Sequence, residues 1–241
     1  MKIFLIIPTY NEKENLETLV NQIFLLQILD LTLLIIDDNS PDGTGDLAEK
    51  LKKRYPIIVI HRQKKQGLGS AYRLGFQYAL EHNADLIVQM DADLSHEPKE
   101  IPKFIEEIKK GADIVIGSRR IPGGRIIGWN LWRHFCSWSA STFSRLVLKL
   151  KTKDITSGYR GYKKEALEKI NFSQIKSNGY AFFEEITWLA EKKKLKIKEI
   201  PITFFDRQFD QSKLGIKEII EFFKTIWRLK LIDLTKTKNL L

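Results

Sequence analysis

The sequence predicts an α/β protein in which a mostly parallel central sheet carries helices on both faces. The first observation is that short apolar runs alternate with longer segments of helical periodicity along residues 1–120. The second is that runs such as IFLII and LTLLII are continuously apolar, which is typical of strands buried on both faces of a parallel sheet. The third is that several runs end in polar or acidic residues, where ligands bind in sheets of this kind.

The elements follow in chain order. Strands are predicted at residues 2–10, 31–40, 57–62, 84–93 and 112–120, with a later strand at 197–207. Helices are predicted between them at residues 14–26, 42–55, 67–82 and 99–111, and Gly111 ends the last of these. Four strand ends, at residues 8–12, 37–40, 91–95 and 118–120, are polar or charged. We expect these four ends to converge on one site.

The second half of the chain has a different pattern. Residues 121–130 are predicted to form a flexible loop, and residues 131–151 mix large aromatic and basic residues at roughly helical spacing. In the last segment one helical face carries the apolar residues Ile216, Ile219, Ile220, Phe223, Ile226, Trp227 and Leu231, and the other carries Lys217, Lys224 and Arg228. This pattern predicts an amphipathic helix that either lies on a membrane or packs against the domain. We expect one domain over residues 1–215, followed by an amphipathic C-terminal helix and tail over residues 216–241.

Composition restricts the class of protein. With 43% hydrophobic residues among 241, the chain can bury a core. Its single cysteine, Cys136, excludes an internal disulfide framework and suits a reducing compartment. The apolar N-terminal run is too short for a secretory signal, and no stretch approaches the roughly 18 apolar residues of a membrane span. We therefore expect a cytoplasmic protein without a transmembrane helix.

Charge is distributed unevenly along the chain. Residues 1–120 contain 16 Lys and Arg against 18 Asp and Glu, a net charge of −2, whereas residues 121–241 contain 24 against 12, a net charge of +12. This imbalance predicts an anionic partner for the second half, which is nucleic acid, a phosphorylated substrate or a membrane surface. The alternative is a lysine-rich surface that is simply well solvated, as in the run KKKLKIK.

Two aspartates, Asp91 and Asp93, follow an apolar run with only Ala92 between them. Burying bare carboxylates is costly unless they are paired or bind a cation. Closely spaced carboxylates can hold Mg²⁺ or Mn²⁺, which prefer oxygen ligands and often share them with substrate phosphates. An isolated D-x-D pair is a weak signal, but a second strand also ends in acid, at Asp37 and Asp38. The sequence therefore favours a divalent cation at this edge of the sheet.

Other motifs that would assign a chemistry are absent from the sequence. There is no P-loop pattern, the GLGSA segment lacks the third glycine of a dinucleotide site, and no G-x-S-x-G elbow occurs. The four histidines, His61, His82, His96 and His134, lack the spacing of metal-binding pairs, so ordinary structural roles are favoured for them.

Seven motifs occur in a consistent order: IPTYNEKENL, IDDNSPDGT, GLGSAYRLGF, MDADLSHEP, GSRRIPGG, DITSGYRGY and FFDRQFDQSKLG. Together they closely resemble the polyprenol-phosphate mannosyltransferases, the dolichyl-phosphate mannose synthase group of family 2 glycosyltransferases. The motifs span about residues 3–215, and the combination of the last two is the most specific part of the resemblance. The resemblance implies a GT-A fold and a nucleotide-sugar donor, usually GDP-mannose.

The resemblance also implies roles for individual residues. The implied donor-binding residues are Pro8, Tyr10, Glu12, Ile36 and Asp38 around the guanine and ribose, together with Asp91, Ala92, Asp93, Arg119, Arg207 and Lys213. Asp93, Arg119, Arg207 and Lys213 are the implied catalytic residues, and Arg119, Arg133 and Ser137 the implied acceptor-phosphate group. Asp154 and Glu185, or its neighbour Glu184, are implied near the sugar.

The metal ligands implied by the resemblance are Asp91, Asp93 and Ser95. Some relatives have a glutamine at the position of Ser95; a serine reaches less far, and water can take its place as a ligand. The implied cofactor is Mg²⁺ or Mn²⁺, acting as a Lewis acid on the leaving diphosphate while arginine forks bind phosphate. The acceptor, a polyprenyl or dolichyl monophosphate, is already anionic near neutral pH because its second pKa is about 6. A single inverting displacement therefore needs no strong base.

The expected partners follow from this reaction. The basic half would meet the lipid phosphate and the membrane surface, and Trp129, Trp132, Phe135 and Trp138 would meet the prenyl chain unless they are core residues. We expect a peripheral protein on the cytoplasmic face of a membrane, or one that depends on a membrane-anchoring partner subunit. Three alternatives stay open: another donor such as UDP-glucose with the same acceptor, an inactive scaffold, and a nucleic-acid-binding module. The acidic strand ends argue against nucleic acid, and the presence of Asp91 and Asp93 together with Arg207 and Lys213 disfavours a scaffold.

Overall fold

The structure is a computed structural model that describes residues 1–179, 181–206 and 216–238, with side chains over 220–233 in the last segment. Its strands are β1 (Ile3–Thr9), β2 (Leu31–Asp37), β3 (Ile57–His61), β4 (Leu86–Gln89), β5 (Ile114–Ser118), β6 (Arg125–Ile127), β7 (Arg160–Lys163), β8 (Ile197–Pro201) and β9 (Thr203–Phe205). Its helices are α1 (Lys13–Phe24), α2 (Thr44–Leu51), α3 (Leu68–Glu81), α4 (Ile101–Lys109), α5 (Leu131–Leu148), α6 (Lys164–Ile170), α7 (Ala181–Lys192) and α8 (Ile216–Lys238). Two short 3₁₀ helices are Pro98–Glu100 and Phe172–Gln174.

The central sheet has seven strands in the spatial order β3-β2-β1-β4-β7-β5-β8. All neighbouring strands in it are parallel except at β7, which runs antiparallel between β4 and β5. This arrangement confirms the predicted mostly parallel sheet. Because β7 runs the other way, the residues directly before it lie at the edge where the parallel strands end.

Helices cover both faces of the sheet, as predicted. On one face the apolar sides of α1, α2 and α4 pack against β1, β2 and β4 in a cluster that includes Leu16, Leu19 and Phe104. On the other face α3, α6 and α7 pack through a cluster that includes Tyr72 and Phe182. With both faces covered, strands such as β1 and β2 are buried along nearly their whole length, which explains their continuous apolar sequence.

Three strand segments differ from the sequence predictions. Part of the predicted loop at 121–130 forms β6, which pairs in parallel with β9 in a separate two-stranded sheet. The strand predicted at 197–207 is divided at Ile202 into β8 and β9, so that β9 leaves the main sheet. Strand β7 was not predicted, because its sequence RGYK is short and contains Arg160, whose side chain is fully buried.

Helix α8 packs against α5 and α7 through a small apolar cluster that contains Trp188, Ile226 and Leu229. A second apolar stripe on α8, formed by Ile220, Phe223, Trp227 and Leu231, remains exposed. The prediction of an amphipathic helix is thus correct, but some of its apolar residues pack against the domain and others are exposed to solvent. Lys224 is exposed as predicted, whereas the side chains of Ile216, Lys217 and Ile219 lie outside the described part. Among the described helices, none has the length and hydropathy needed to cross a bilayer.

Arg228 turns toward the protein rather than toward solvent. Its Nη2 donates to Glu185 Oε2 at 2.7 Å, and Glu185 Oε2 also accepts from the Ser177 hydroxyl at 2.7 Å. Ser177 in turn contacts Thr225 of α8 at 3.2 Å. Arg228 and Glu185 therefore fasten α8 to the segment before α7.

We expect Arg228→Gln to weaken the attachment of α8 by about 1.5–3 kcal/mol, the usual contribution of a hydrogen bond between charged groups. Hydrogen exchange over residues 220–233 should accelerate while exchange in β1 and β2 stays unchanged. Lys224→Gln is the matched control, because Lys224 is an exposed cation on the same helix. Equal exchange in the two variants would contradict the role assigned to Arg228.

Candidate active site

The site lies at the edge of the sheet where the parallel strands end. Strand β1 has β2 on one side and β4 on the other, so successive connections leave it in opposite directions and open a crevice at its carboxyl end. The loops after β1, β2, β4 and β5 meet there, as the polar strand ends predicted. The antiparallel direction of β7 brings residues 154–159 to the same edge, which the sequence did not reveal.

The loop after β1 carries the first group of predicted donor-binding residues. Pro8 and Tyr10 are partly buried, and Lys65 Nζ lies 4.0 Å from the centre of the Tyr10 ring. The Glu12 backbone N–H donates to Thr44 Oγ1 at 2.9 Å, and its carboxylate accepts from Asn15 Nδ2 at 2.9 Å. These bonds fix the loop against the start of α2.

The loop after β2 carries two carboxylates with different partners. Asp37 accepts hydrogen bonds from Thr9 Oγ1 and the Ser40 backbone, so it closes the turn. Asp38 is buried in an ion pair with Arg62, which sequence reasoning did not find because Arg62 follows a different strand. The side chain of Ile36 is fully buried in the core beside α3, so only its backbone is available to a nucleotide.

Asp91 and Asp93 stand at the end of β4, on either side of the buried Ala92. Asp91 Oδ1 accepts from the Tyr72 hydroxyl at 3.2 Å, and Asp93 Oδ1 accepts from the Ser95 backbone N–H at 3.1 Å. Asp93 is largely buried, and its carboxylate lies beside Ser95, whose buried hydroxyl oxygen has no hydrogen-bond partner among the residues that the structure describes. Two carboxylates and an unsatisfied hydroxyl form the oxygen-rich donor set that suits Mg²⁺ or Mn²⁺.

The groups around Asp91 are held in one protonation state. Burial, with the Asp91 charge, raises the pKa of Tyr72 well above its ordinary value, so Tyr72 remains a hydroxyl donor. Burial lowers the pKa of His96, and His96 Nδ1 accepts the Asp91 backbone N–H at 3.2 Å. His96 also stacks on Tyr159 at a centroid distance of 4.9 Å. His96 therefore has the structural role that the sequence favoured.

Over residues 1–179, 181–206 and 216–238, no three His, Cys, Asp or Glu side chains are placed to hold a metal ion. Among the described residues, Asp91 and Asp93 are the carboxylates predicted to hold a cation at this edge. Its other ligands would come from Ser95, water or a substrate phosphate. Gly158, in the segment before β7, lies against this pair, since a Cβ there would be 3.4 Å from the Asp91 carboxylate oxygens.

Arg119 follows β5 and forms a buried ion pair with Asp154. Arg119 Nε donates to Asp154 Oδ2 and Nη2 to Oδ1, both at 2.8 Å, and Nη2 also donates to Thr156 Oγ1 at 2.9 Å. Burial opposes ionisation of Asp154, but the Arg119 charge and these bonds hold its pKa at about 2. Asp154 is therefore the residue that orients Arg119.

The predicted acceptor-phosphate residues lie around α5. Arg133 binds both carboxylate oxygens of Asp206, at 2.7 and 2.9 Å. The guanidinium carbons of Arg133 and Arg119 lie 4.3 and 6.0 Å from the centre of the Trp129 ring, so this indole brings the two arginines together. Ser137 Oγ accepts from Arg120 Nη2 at 2.8 Å, an arginine that the prediction did not include. Arg207 and Lys213 lie outside the described residues.

The two glutamates predicted near the sugar have different surroundings. Glu185 binds the Ser177 segment and Arg228, which is a structural role. Glu184 is fully buried, and its Oε2 has no hydrogen-bond partner among the described residues. Burial raises the pKa of Glu184 well above its ordinary value, although the charge of Arg160 opposes the shift.

The family model and the curated relatives that match this chain point to the same family. The family model for glycosyl transferase family 2 matches residues 4–171. Among curated relatives, a polyprenol monophosphomannose synthase of Mycolicibacterium smegmatis is 43% identical over 90% of this chain and 82% of its own length. An undecaprenyl-phosphate mannosyltransferase of Micrococcus luteus is 41% identical over 89% of this chain and 88% of its own. A dolichol-phosphate mannosyltransferase of Pyrococcus furiosus is 43% identical over 95% of this chain and 64% of its own.

Two solved structures are similar in fold. Glucosyl-3-phosphoglycerate synthase from Mycobacterium tuberculosis, in complex with Mn²⁺, UDP and glucosyl-3-phosphoglycerate, aligns with a TM-score of 0.65 at 17% identity over 95% of this chain and 78% of its own. A mannosyltransferase from Pyrobaculum calidifontis, in complex with GDP-Man and Mn²⁺, aligns with a TM-score of 0.60 at 14% identity over 94% and 64%. These similarities confirm the predicted GT-A fold.

Proposed function

This chain belongs to glycosyl transferase family 2, and we propose that it transfers mannose from GDP-mannose to a polyprenyl monophosphate, which gives polyprenyl-phosphate mannose. The names of three relatives at 41–43% identity support the mannosyl donor and the lipid-phosphate acceptor. The complex of a fold neighbour with GDP-Man supports guanosine diphosphate as the leaving group. The observation that carries the proposal is the meeting of Asp91 and Asp93 with the buried Arg119–Asp154 pair at one edge of the sheet.

The donor would lie in the crevice beyond β1. The loops containing Tyr10, Glu12 and Asp38 would hold the nucleoside, and Asp91 and Asp93 would face its diphosphate. We assign a divalent cation, Mg²⁺ or Mn²⁺, to Asp91, Asp93 and Ser95, where it would offset the negative charge of the leaving diphosphate. Arg207 and Lys213 remain predicted catalytic and donor-binding residues.

The residues of the chain are suited to a displacement that needs no general base. The acceptor phosphate oxygen forms a bond to C1 of mannose while the bond from C1 to the GDP oxygen breaks, with inversion at C1. A phosphate monoester is mostly a dianion near pH 7, so the protein need not remove a proton. Arg119, fixed by Asp154, and Arg133, fixed by Asp206, would orient the acceptor phosphate beside Ser137.

Exposed aromatic residues support contact with a membrane. Trp132 is 71% exposed, and Phe135 and Trp138 on the same helix are also more than half exposed. The 56% exposed Trp227 lies on α8, which packs against α5 through Phe143 and Phe223. Indole rings prefer the membrane–water interface, and the +12 charge of residues 121–241 would attract anionic headgroups. We therefore propose peripheral binding at the cytoplasmic face.

The proposal is tested by mannosyl transfer from GDP-mannose to polyprenyl monophosphate in detergent, with Mg²⁺ or Mn²⁺ and with a chelator. We expect polyprenyl-phosphate mannose to form with either metal and to disappear with the chelator. UDP-glucose is the comparison donor. Transfer from UDP-glucose alone would overturn the donor assignment, and transfer that is unchanged by the chelator would overturn the assignment of the cation.

A further inference from the structure

A cavity of about 430 Å³ lies between the loop after β5, strand β6 and one side of α5. Its charged lining consists of Arg119, Arg120, Arg125, Arg145 and Lys153, with His134 beside them and no carboxylate among the lining residues. Its volume is in the range of ordinary small-molecule sites. The proposed mannosyl transfer assigns no role to four of these five cations.

The four remaining cations are not held in ion pairs within the described part of the chain, although the charge of Asp154 also acts on Arg120. Arg119 is paired with Asp154, but within the described residues Arg120, Arg125, Arg145 and Lys153 form no ion pair. Placing like charges together in a partly buried cavity costs free energy unless an anion is present. The cavity therefore has the electrostatic character of an anion site.

Two buried nitrogens point to the same conclusion. Arg120 Nε and Arg145 Nε are buried and have no hydrogen-bond partner in the described part of the chain. Burial lowers the pKa of Arg120, the charge of Asp154 opposes this shift, and the charges of Arg119 and Arg145 lower the pKa further. Buried polar groups in folded proteins are normally satisfied, so these two guanidinium groups call for an acceptor that the protein does not provide.

We propose that Arg120, Arg125, Arg145 and Lys153 form a second phosphate-binding site next to the predicted acceptor group, whose Arg119 also lines the cavity and whose Ser137 accepts a hydrogen bond from Arg120. Its ligand is a phosphate mono- or diester, because guanidinium forks match phosphate oxygens in pairs. The phosphate comes either from a phospholipid headgroup or from a soluble ester. Trp138, which lines the same cavity and is more than half exposed, lies where a headgroup would enter.

The site is tested with Arg145→Gln and Lys153→Gln. Arg120 is left unchanged, because its bond to Ser137 connects it with the predicted acceptor group. Lys151→Gln is the matched control, since it removes one exposed positive charge two residues from Lys153 without altering the cavity lining. Arg145→Lys keeps the charge but removes the fork. Binding is measured without donor or acceptor, so its outcome is independent of mannosyl transfer.

Two probes distinguish the sources of phosphate. Calorimetry with inorganic phosphate and glycerol 3-phosphate measures soluble ligands, and flotation on phosphatidylcholine vesicles with or without phosphatidylglycerol measures headgroups. We expect Arg145→Gln and Lys153→Gln each to weaken binding about tenfold, Arg145→Lys to weaken it less, and Lys151→Gln to leave calorimetric binding unchanged. A loss confined to calorimetry assigns a soluble ester, and a loss on phosphatidylglycerol vesicles beyond that of Lys151→Gln assigns a headgroup.

Three results would overturn the proposal. One is the absence of phosphate-dependent binding by the unmodified protein in both measurements. The second is an equal loss in Lys151→Gln and the cavity variants, which would indicate diffuse attraction. The third is a loss of transfer in neutral detergent by folded Arg145→Gln, in parallel with its loss of phosphate binding, which would make the cavity part of the transfer site.

Discussion

Asp93→Asn is expected to reduce mannosyl transfer about 10²–10³-fold while leaving the protein folded. The Asp93 carboxylate stands beside the unsatisfied Ser95 hydroxyl and is one of two charges assigned to the cation and the donor diphosphate. Removing one preorganised charge from a site where charge develops in the transition state typically costs a factor of this size. Asparagine keeps the shape of the side chain and can still accept the Ser95 N–H, so the loss reports on charge.

The control for this variant is Asp46→Asn, which removes a carboxylate from the exposed first turn of α2. Its turnover should equal that of the unmodified protein. Circular dichroism and thermal unfolding of both variants check that the fold is intact. Full turnover by Asp93→Asn would show that Asp93 takes no part in the mechanism. If the variant were unfolded to an extent that accounts for its lost activity, Asp93 would have a structural role instead.

The parallel part of the fold was predictable because burial on both faces leaves a direct mark on the sequence. Strands β1 and β2 are apolar along nearly their whole length, and the helices between strands repeat their apolar residues at helical spacing. Strand β7 carries no such mark. It pairs with its neighbours β4 and β5, and the Arg160 guanidinium donates hydrogen bonds to the carbonyl oxygens of Ile155, Ser157 and Phe183. These partners can be identified only from the folded structure.

The candidate site also contains residues that could be predicted from the sequence and residues that could not. Asp91 and Asp93 could be predicted from their position after an apolar strand, and Arg119 and Arg133 from the resemblance to the family. The partners of the charged site residues could not be found from spacing, because they lie in other parts of the fold. Asp38 pairs with Arg62, Asp91 accepts a hydrogen bond from Tyr72, and Arg119 pairs with Asp154. The members of each pair are distant in sequence, and only the order of the strands brings them together. The predicted polar face of α8 likewise did not reveal that Arg228 pairs with Glu185, because Glu185 lies on α7.

Asp154→Asn is expected to lower the free energy of unfolding by about 3–5 kcal/mol, the usual cost of breaking a buried ion pair on one side. Asp154 is fully buried and the Arg119 side chain is only 7% exposed, so water cannot replace the lost charge. An asparagine also turns amide N–H groups toward guanidinium N–H groups. Transfer should fall as well, because Arg119 loses the group that fixes its orientation. Urea unfolding measures the first effect, and turnover of the folded variant measures the second.

The pH dependence of stability gives an independent check with a defined sign. Asp154 has a pKa of about 2 against an ordinary 3.8, so the pair stabilises the fold fully above about pH 4 and loses this contribution as the pH falls toward 2. The contribution at neutral pH is about 2 kcal/mol by linkage. Asp154→Asn should remove this acid-dependent step. Glu106→Gln, which removes an exposed carboxylate on α4 paired with Lys110, should preserve it.

A double-mutant cycle separates the ion pair from simple packing. In an Arg119→Met background the buried cation is absent, so Asp154→Asn should cost much less than it does beside Arg119. The difference between the two costs measures the coupling of the pair. If Asp154→Asn cost the same in both backgrounds, Asp154 would act through its contacts with Thr156 and the backbone, and Arg119 would need another source of its fixed orientation.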